Sequence, residues 1–352
     1  MLHLSDESDT TFCYLSAKDV AALCTPDVAM KAVDQALRLH ALGRTILPCE
    51  SYLGWQTPSG SDARCLAMPG ALWADTGLLV GLKTINSSLG NTVAGRKRSD
   101  GFTVLLDPET ARPIAVMQAG HMSALRTAAV SAVGARTLAP GSQSLAIVGC
   151  GTLGAAHAAM LTHTLPSLAS VRLFDLHRPQ AESLSAYLSA GPGRFTISVA
   201  PDAATCLRGS DIVIFATTVT EGYVPYGWVS ESRFVGHVSL DDLLPDVFAS
   251  CDYLVVDDWS LIADDDRRVL GRLARAGLVS GPDGQPEAVG PGRARAVDAT
   301  LGQLLTGQRP GPGRSDAVVV CNAFGMAILD VALAGAVLTA AHAAGRGVML
   351  EL

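Results

Sequence analysis

Three glycines, Gly149, Gly151 and Gly154, follow the apolar run LAIV in the G-x-G-x-x-G spacing and lead into the helix-forming stretch AAHAAML. With Thr152 and Leu153 between them, they would form a tight strand-to-helix turn, let a backbone approach a pyrophosphate closely, and place that phosphate at a helix N-terminus. The next apolar run, VRLFD, ends in Asp175, where a carboxylate would accept hydrogen bonds from the adenosine ribose hydroxyls and repel a 2′-phosphate. The cofactor this implies is NAD, while His177 and Arg178 just beyond keep NADP open. Thr217 and Thr218 close the fourth such run. They would either contact the nicotinamide ribose or cap the strand end through hydroxyl-to-backbone bonds.

A second set of residues carries charge in apolar surroundings. Lys83 lies in VGLKTI, where a buried ammonium would need a compensating anion; the alternative is an edge-strand lysine that reaches solvent. Arg126 stands among small residues in SALRTAAVS, and its rigid fork suits either a bidentate carboxylate or a structural ion pair. Asp241 and Asp242 follow the fifth run, HVSL, where the crevice edge of a parallel sheet would fall. The eight cysteines are scattered singly, without the spacing of a zinc site, and read as reduced, mostly buried thiols.

The elements that must hold these residues can be read from the same pattern. SLAIVG, SVRLFDL, FTISVA, DIVIFATT, RFVGHVSL and YLVVDD alternate with helical stretches, which predicts a parallel α/β sheet of the Rossmann type over 136–315. Residues 1–135 mix a helical stretch (17–42) with strand-like runs, LLVGLKTI and FTVLLD. The apolar segment 326–342 has no sheet of its own, so 316–352 is expected to complete a discontinuous α+β domain with 1–135, used for substrate binding and dimerisation. Two domains suit 352 residues. A net charge of −7 and only one short basic cluster, Arg96–Lys97–Arg98, argue against nucleic acid. The N-terminus MLHLSDESDTTF lacks a secretory pattern, and 326–342 is too short and interrupted to span a bilayer, so the cytoplasm is the expected compartment.

The segments CLAMPG, GLKTINS, LLDPETARPIAVM, SALRTAAVS, VVDDWS, LGQLLTGQRPG and GMAILD together resemble the ornithine cyclodeaminase/mu-crystallin family over nearly the whole chain. The resemblance implies a homodimer and an enzyme that works on a small amino-acid-like substrate at a carbon bearing nitrogen. It implies a carboxylate- or carbonyl-binding role for Lys83, a second carboxylate clamp at Arg64 beside Arg126, a packing role at the site for Met68, and Asp242 as general acid/base, with Asp241 blurring that assignment. The last segments are most similar to a branch that oxidises N-(2-amino-2-carboxyethyl)-L-glutamate to 2,3-diaminopropionate and 2-oxoglutarate in secondary metabolism. Ketimine reductase, amino-acid dehydrogenase, cyclodeaminase and non-catalytic NAD(H) binder are the alternatives. Two departures bear on the choice. Glu50 stands where many relatives carry a basic residue, and would attract an amine instead of a carboxylate. Leu66 and Pro245 replace the Glu and Lys of cyclodeaminases.

Overall fold

In the computed structural model, which describes residues 11–191, 195–284 and 295–352, the helical stretch expected over 17–42 is two helices, Ala17–Leu23 and Pro26–Ala41. Pro26 lacks the N–H that a continuous helix would use, and Thr25 caps the new start by accepting from the Val28 N–H. The beginning of the N-terminal segment, and residues 285–294 of the Gly/Pro-rich stretch, lie outside the described residues. The chain divides into two units, one of residues up to Arg126 with Met326–Leu352, the other of Thr127–Gly325. The later limit differs from the 315 expected from sequence because Val319–Asn322 is a strand of the second unit, and the earlier one falls within the helix Ala119–Leu138, short of the expected 135.

The first unit is built on a mixed eight-stranded sheet. It contains β1 (Thr11–Leu15), β2 (Thr45–Ile46), β3 (Ser51–Gln56), β4 (Asp62–Ala74), β5 (Gly77–Ser88), β6 (Ser99–Leu106) and β7 (Pro113–Gln118). The order runs from the terminal strand Val348–Glu351 through β1, β7, β6 and β5 to β4, whose outer edge carries both β3 and β2. Pro69 cannot donate to a ladder, and it stands where the outer partner of β4 changes from β3, paired with 62–67, to β2, paired with 71–72. The terminal helix Ala327–Ala344 lies on β4, β5 and β6 and on the helix Pro26–Ala41. Small residues allow this. A Cβ at Gly70 would come within 3.2 Å of Ala327, and one at Gly335 within 2.8 Å of Leu79.

The second unit holds a parallel sheet of β8 (Ser144–Val148), β9 (Ser170–Phe174), β10 (Thr196–Val199), β11 (Ile212–Phe215), β12 (Phe234–His237) and β13 (Tyr253–Val256). These are the six runs picked out in the sequence. Their order is β10, β9, β8, β11, β12, then Val319–Asn322, then β13 and the short strand Ala299–Thr300. Every residue of β11 and β12 is buried, as expected for strands covered on both faces. The first five strands have the 3-2-1-4-5 order of a Rossmann fold.

Two histidines are sealed in this unit, and burial pulls His157 down to about 4 and His237 to about 3. His157 bonds the Leu153 carbonyl at 2.7 Å through Nδ1, so its Nε2 accepts from Ser131 at 3.1 Å. Both rings are therefore neutral in the folded chain, whereas an unfolded histidine takes up a proton near pH 6.5. Stability is thus complete above about pH 6.5 and falls as the pH drops toward 4, by on the order of 3 kcal/mol for His157 alone. Thermal melts across pH 4–8 should show this decline, with a shallower slope for His157→Gln. An unchanged slope in that variant would show that His157 does not carry it.

Candidate active site

Lys83 lies midway along β5, on the face covered by the terminal helix, two residues after Gly81, whose Cβ position is 3.4 Å from Val331. Its side chain is 1% exposed, and its Nζ bonds Asp330 Oδ2 at 2.8 Å, with Ser123 Oγ at 3.5 Å. Arg126, 6% exposed, lies one turn after Ser123 on the helix Ala119–Leu138 and bonds the other Asp330 oxygen through Nε at 3.0 Å. The anion that Lys83 needed is thus Asp330, which is 0% exposed in the first turn of the terminal helix, where the helix dipole favours a carboxylate. Sequence reading registered Asp330 only as an interruption of an apolar segment. Burial first, then the neighbouring Arg126 charge, pulls the Lys83 ammonium down to about 8, with Asp330 and Glu50 opposing them.

Of the remaining predicted residues of this unit, Met68 and Arg64 share the Lys83 face of the sheet. Met68, buried, stands directly across from Lys83 on β4, and Thr103, fully buried with an unpartnered hydroxyl, stands across from it on β6. Glu50 immediately precedes β3, close enough to Lys83 for their charges to interact. Arg64 lies four residues before Met68 on the same face, about 13 Å along the strand, and its Nε bonds Ser87 Oγ at 3.1 Å.

In the second unit the glycine turn has the geometry expected of it. Gly149 has φ +91°, and a Cβ there would meet the Ala216 carbonyl oxygen at 2.6 Å. A Cβ at Gly154 would lie 1.9 Å from the Gly149 oxygen, so strand and helix are in backbone contact. Gly151, the N-cap of the helix Thr152–Thr164, has nothing within 4 Å of its Cβ position, and Thr152 and Leu153 are exposed beside it. An open helix N-terminus behind two glycines fits a pyrophosphate. Asp175 follows β9 and accepts from the Cys150 N–H at 2.7 Å and the His177 N–H at 2.8 Å, which fixes its carboxylate at the turn. Arg178 pairs with Glu182 at 2.8 Å instead of standing free for a phosphate.

Asp242, 0% exposed, is held by hydroxyls. Thr217 Oγ1 donates to it at 2.7 Å, Tyr223 OH at 3.3 Å, and Ser239 Oγ to its other oxygen. Burial raises its carboxyl above the ordinary range, and the three hydroxyls pull it part of the way back. Asp241, by contrast, is ion-paired with Arg272. Proton exchange at a carboxyl of raised affinity suits Asp242 and not a carboxylate locked to a guanidinium. Thr217 therefore faces Asp242, while Thr218 is exposed. Tyr223 and Ser239 were not picked out in the sequence, where lone hydroxyl residues carry no signal.

A Rossmann unit with an open glycine turn and a buried aspartate, together with a unit carrying a buried lysine and arginine, defines a dinucleotide-dependent class of protein. The chain belongs to the ornithine cyclodeaminase/mu-crystallin family, whose model matches residues 12–344. It is 30% identical to N-((2S)-2-amino-2-carboxyethyl)-L-glutamate dehydrogenase of Staphylococcus aureus over 96% of this chain and 98% of that one. The crystal structure of CmnK superposes with a TM-score of 0.86 at 38% identity, covering 97% of this chain and 99% of the other. An archaeal alanine dehydrogenase dimer with bound NAD superposes with a TM-score of 0.81 at 25% identity, covering 97% and 99%.

Because Thr217 and Tyr223 stabilise the ionised form of Asp242, removing either hydroxyl raises that carboxyl further. In Thr217→Val and Tyr223→Phe the acidic limb of kcat/KM should move to higher pH, by roughly one unit for the shorter Thr217 bond. Profiles that superpose on the wild type would remove Asp242 as the group titrating in that limb.

Proposed function

We propose that the protein is an NAD-dependent oxidoreductase acting on the C–N bond of an amino-acid-derived secondary amine, with N-(2-amino-2-carboxyethyl)-L-glutamate as substrate and 2,3-diaminopropionate and 2-oxoglutarate as products. The observation that carries this reading is the pairing of Lys83 with Arg126 around one carboxylate. Arg126 spends only its Nε on Asp330, and its two terminal nitrogens form no hydrogen bond among the described residues. That free edge suits a substrate carboxylate.

The residues that would hold NAD are the turn Gly149–Gly154 and Asp175. NAD supplies the hydride acceptor when bound. Lys83 and Arg126 bind and orient the carboxylate beside the reacting carbon, so that positioning lowers much of the barrier. Asp242 takes the proton from the amine nitrogen as the carbon loses its hydride and an imine forms. It then assists the water that adds to the imine carbon, and the C–N bond breaks to leave an oxo acid and a free amine. Arg64 is assigned to the distal carboxylate and Glu50 to the ammonium of the departing diamino acid. Leu66 and Pro245 put no charge where a cyclodeaminase carries its Glu and Lys, which favours dehydrogenation over cyclisation.

The same reading includes a homodimer, formed by the first unit. The terminal helix is buried, but Ile46, Tyr52, Leu53 and Trp55 on β2 and β3 are 46–64% exposed, large apolar side chains at the sheet edge that a partner subunit would cover. Light scattering should give twice the 36.4 kDa chain mass at micromolar concentration; a single-chain mass would refute the dimer.

Steady-state NADH formation with N-(2-amino-2-carboxyethyl)-L-glutamate tests the activity directly. Wild type should turn over with NAD in preference to NADP, and Asp242→Asn should lose roughly 10²–10⁴-fold in kcat while binding NADH normally. No NADH from wild type would discard this substrate.

A further inference from the structure

The grouping around Asp330 leaves an unbalanced charge. Lys83 and Arg126 bring two positive charges to a place where both are almost wholly buried, and Asp330 supplies one negative charge, divided between them through its two oxygens. Buried charge is costly unless compensated, and among these three residues one positive charge is left unmatched. Neither neighbour across the sheet supplies a second anion: Met68 on β4 and Thr103 on β6 are neutral. Glu50 is the other charged group acting on Lys83, and its negative charge also favours the ammonium.

We propose that Asp330 is the positioning residue of the carboxylate site: it keeps Lys83 an ammonium and fixes the guanidinium of Arg126 by its Nε edge, so that both cations are held charged and in place for a substrate carboxylate. The inference rests on the proposed carboxylate-binding role of Lys83 and Arg126 and adds to it a residue that touches neither substrate nor cofactor. The physical argument is one of alternatives. Without a fixed anion, two cations about one carboxylate's width apart repel, and the more easily neutralised one, Lys83, gives up its proton. With Asp330 present the proton stays, and both cations remain charged toward an incoming carboxylate.

The chain makes a direct test feasible. It contains four lysines, Lys18, Lys31, Lys83 and Lys97, of which only Lys83 is buried, so in protein labelled with ε-¹³C lysine one NMR resonance titrates apart from the rest. In the wild type that resonance should titrate near pH 8. In Asp330→Asn it should titrate at least one unit lower, and in Asp330→Glu it should return toward the wild-type position. In kinetics, KM in Asp330→Asn should rise tenfold or more at pH 8, with a much smaller change in kcat, and the rise should shrink as the pH is lowered toward 6. A merely structural Asp330 would give a loss independent of pH and an unmoved Lys83 titration, either of which overturns the proposal. If Asp330→Asn does not fold, Asp330→Glu decides: the carboxylate is retained, so a Lys83 titration that drops by a unit or more there would also overturn it. Should wild type form no NADH with N-(2-amino-2-carboxyethyl)-L-glutamate, the substrate assignment fails while the titration still judges Asp330.

Discussion

The contact on which the first unit depends is the bond of Asp330 to Lys83 and Arg126, which joins a sheet strand, an internal helix and the terminal helix, its two most distant members standing 247 positions apart. Each partner is buried, and each would be strongly destabilising alone, because an uncompensated interior charge costs several kcal/mol. The rest of the unit is arranged so that the three can meet. Gly70, Gly81 and Gly335 have no side chains where the terminal helix lies against β4 and β5, and that close approach carries Asp330 to within 2.8 Å of Lys83. Larger residues there would push the helix away from the sheet and separate the charges. The apolar packing of the helix and its single acid are thus parts of one arrangement.

The second unit handles its buried acid in the opposite way. Asp242 has no cation bonded to it; its ordinary donors are the hydroxyls of Thr217, Tyr223 and Ser239, while His237 stands 3.8 Å away as a neutral ring. Hydroxyl donors stabilise a carboxylate less than a guanidinium does, which is why its carboxyl stays above the ordinary range while Asp241 beside it is committed to Arg272. One residue of displacement along the chain separates an acid that can exchange a proton from one held in an ion pair. Lone hydroxyls as donors also leave room for adjustment, since each rotates about a single bond.

What could be read beforehand follows the strength of the local signal. The glycine turn and Asp175 were legible because a tight turn, a close backbone contact and a strand end each demand a residue type at a set spacing. The inner strands β8, β11, β12 and β13 were legible because buried parallel strands are near-continuous apolar runs, and the outer β9 and β10 by their β-branched residues between helical stretches. Lys83 and Arg126 stood out as charges in apolar company, but their partner did not: one aspartate in an eighteen-residue apolar helix looks like a blemish until the sheet beneath it is known. The Arg178–Glu182 pair is an i,i+4 contact that spacing permits, yet sequence alone does not say whether that arginine turns to its own helix or to a ligand. Val319–Asn322 was missed for a different reason. Three apolar residues and an asparagine between a Gly/Pro-rich stretch and an apolar helix have no period of their own, and only pairing partners distant in sequence make them a strand.

That strand has a consequence for how the protein comes into being. Val319–Asn322 is hydrogen-bonded to β12 on one side and β13 on the other, so a strand made after both of them occupies the place between them. A chain emerging from the ribosome has β8 to β13 available long before the piece that joins β12 to β13, and the first unit waits in the same way for the helix that brings Asp330. Ordering by hydrogen bonds between such distant segments is slow compared with local contacts. Neither unit is complete until 319–322 and the helix Ala327–Ala344 have been made, and until then the growing chain carries two open sheets, a state in which unpaired strand edges invite association with other chains.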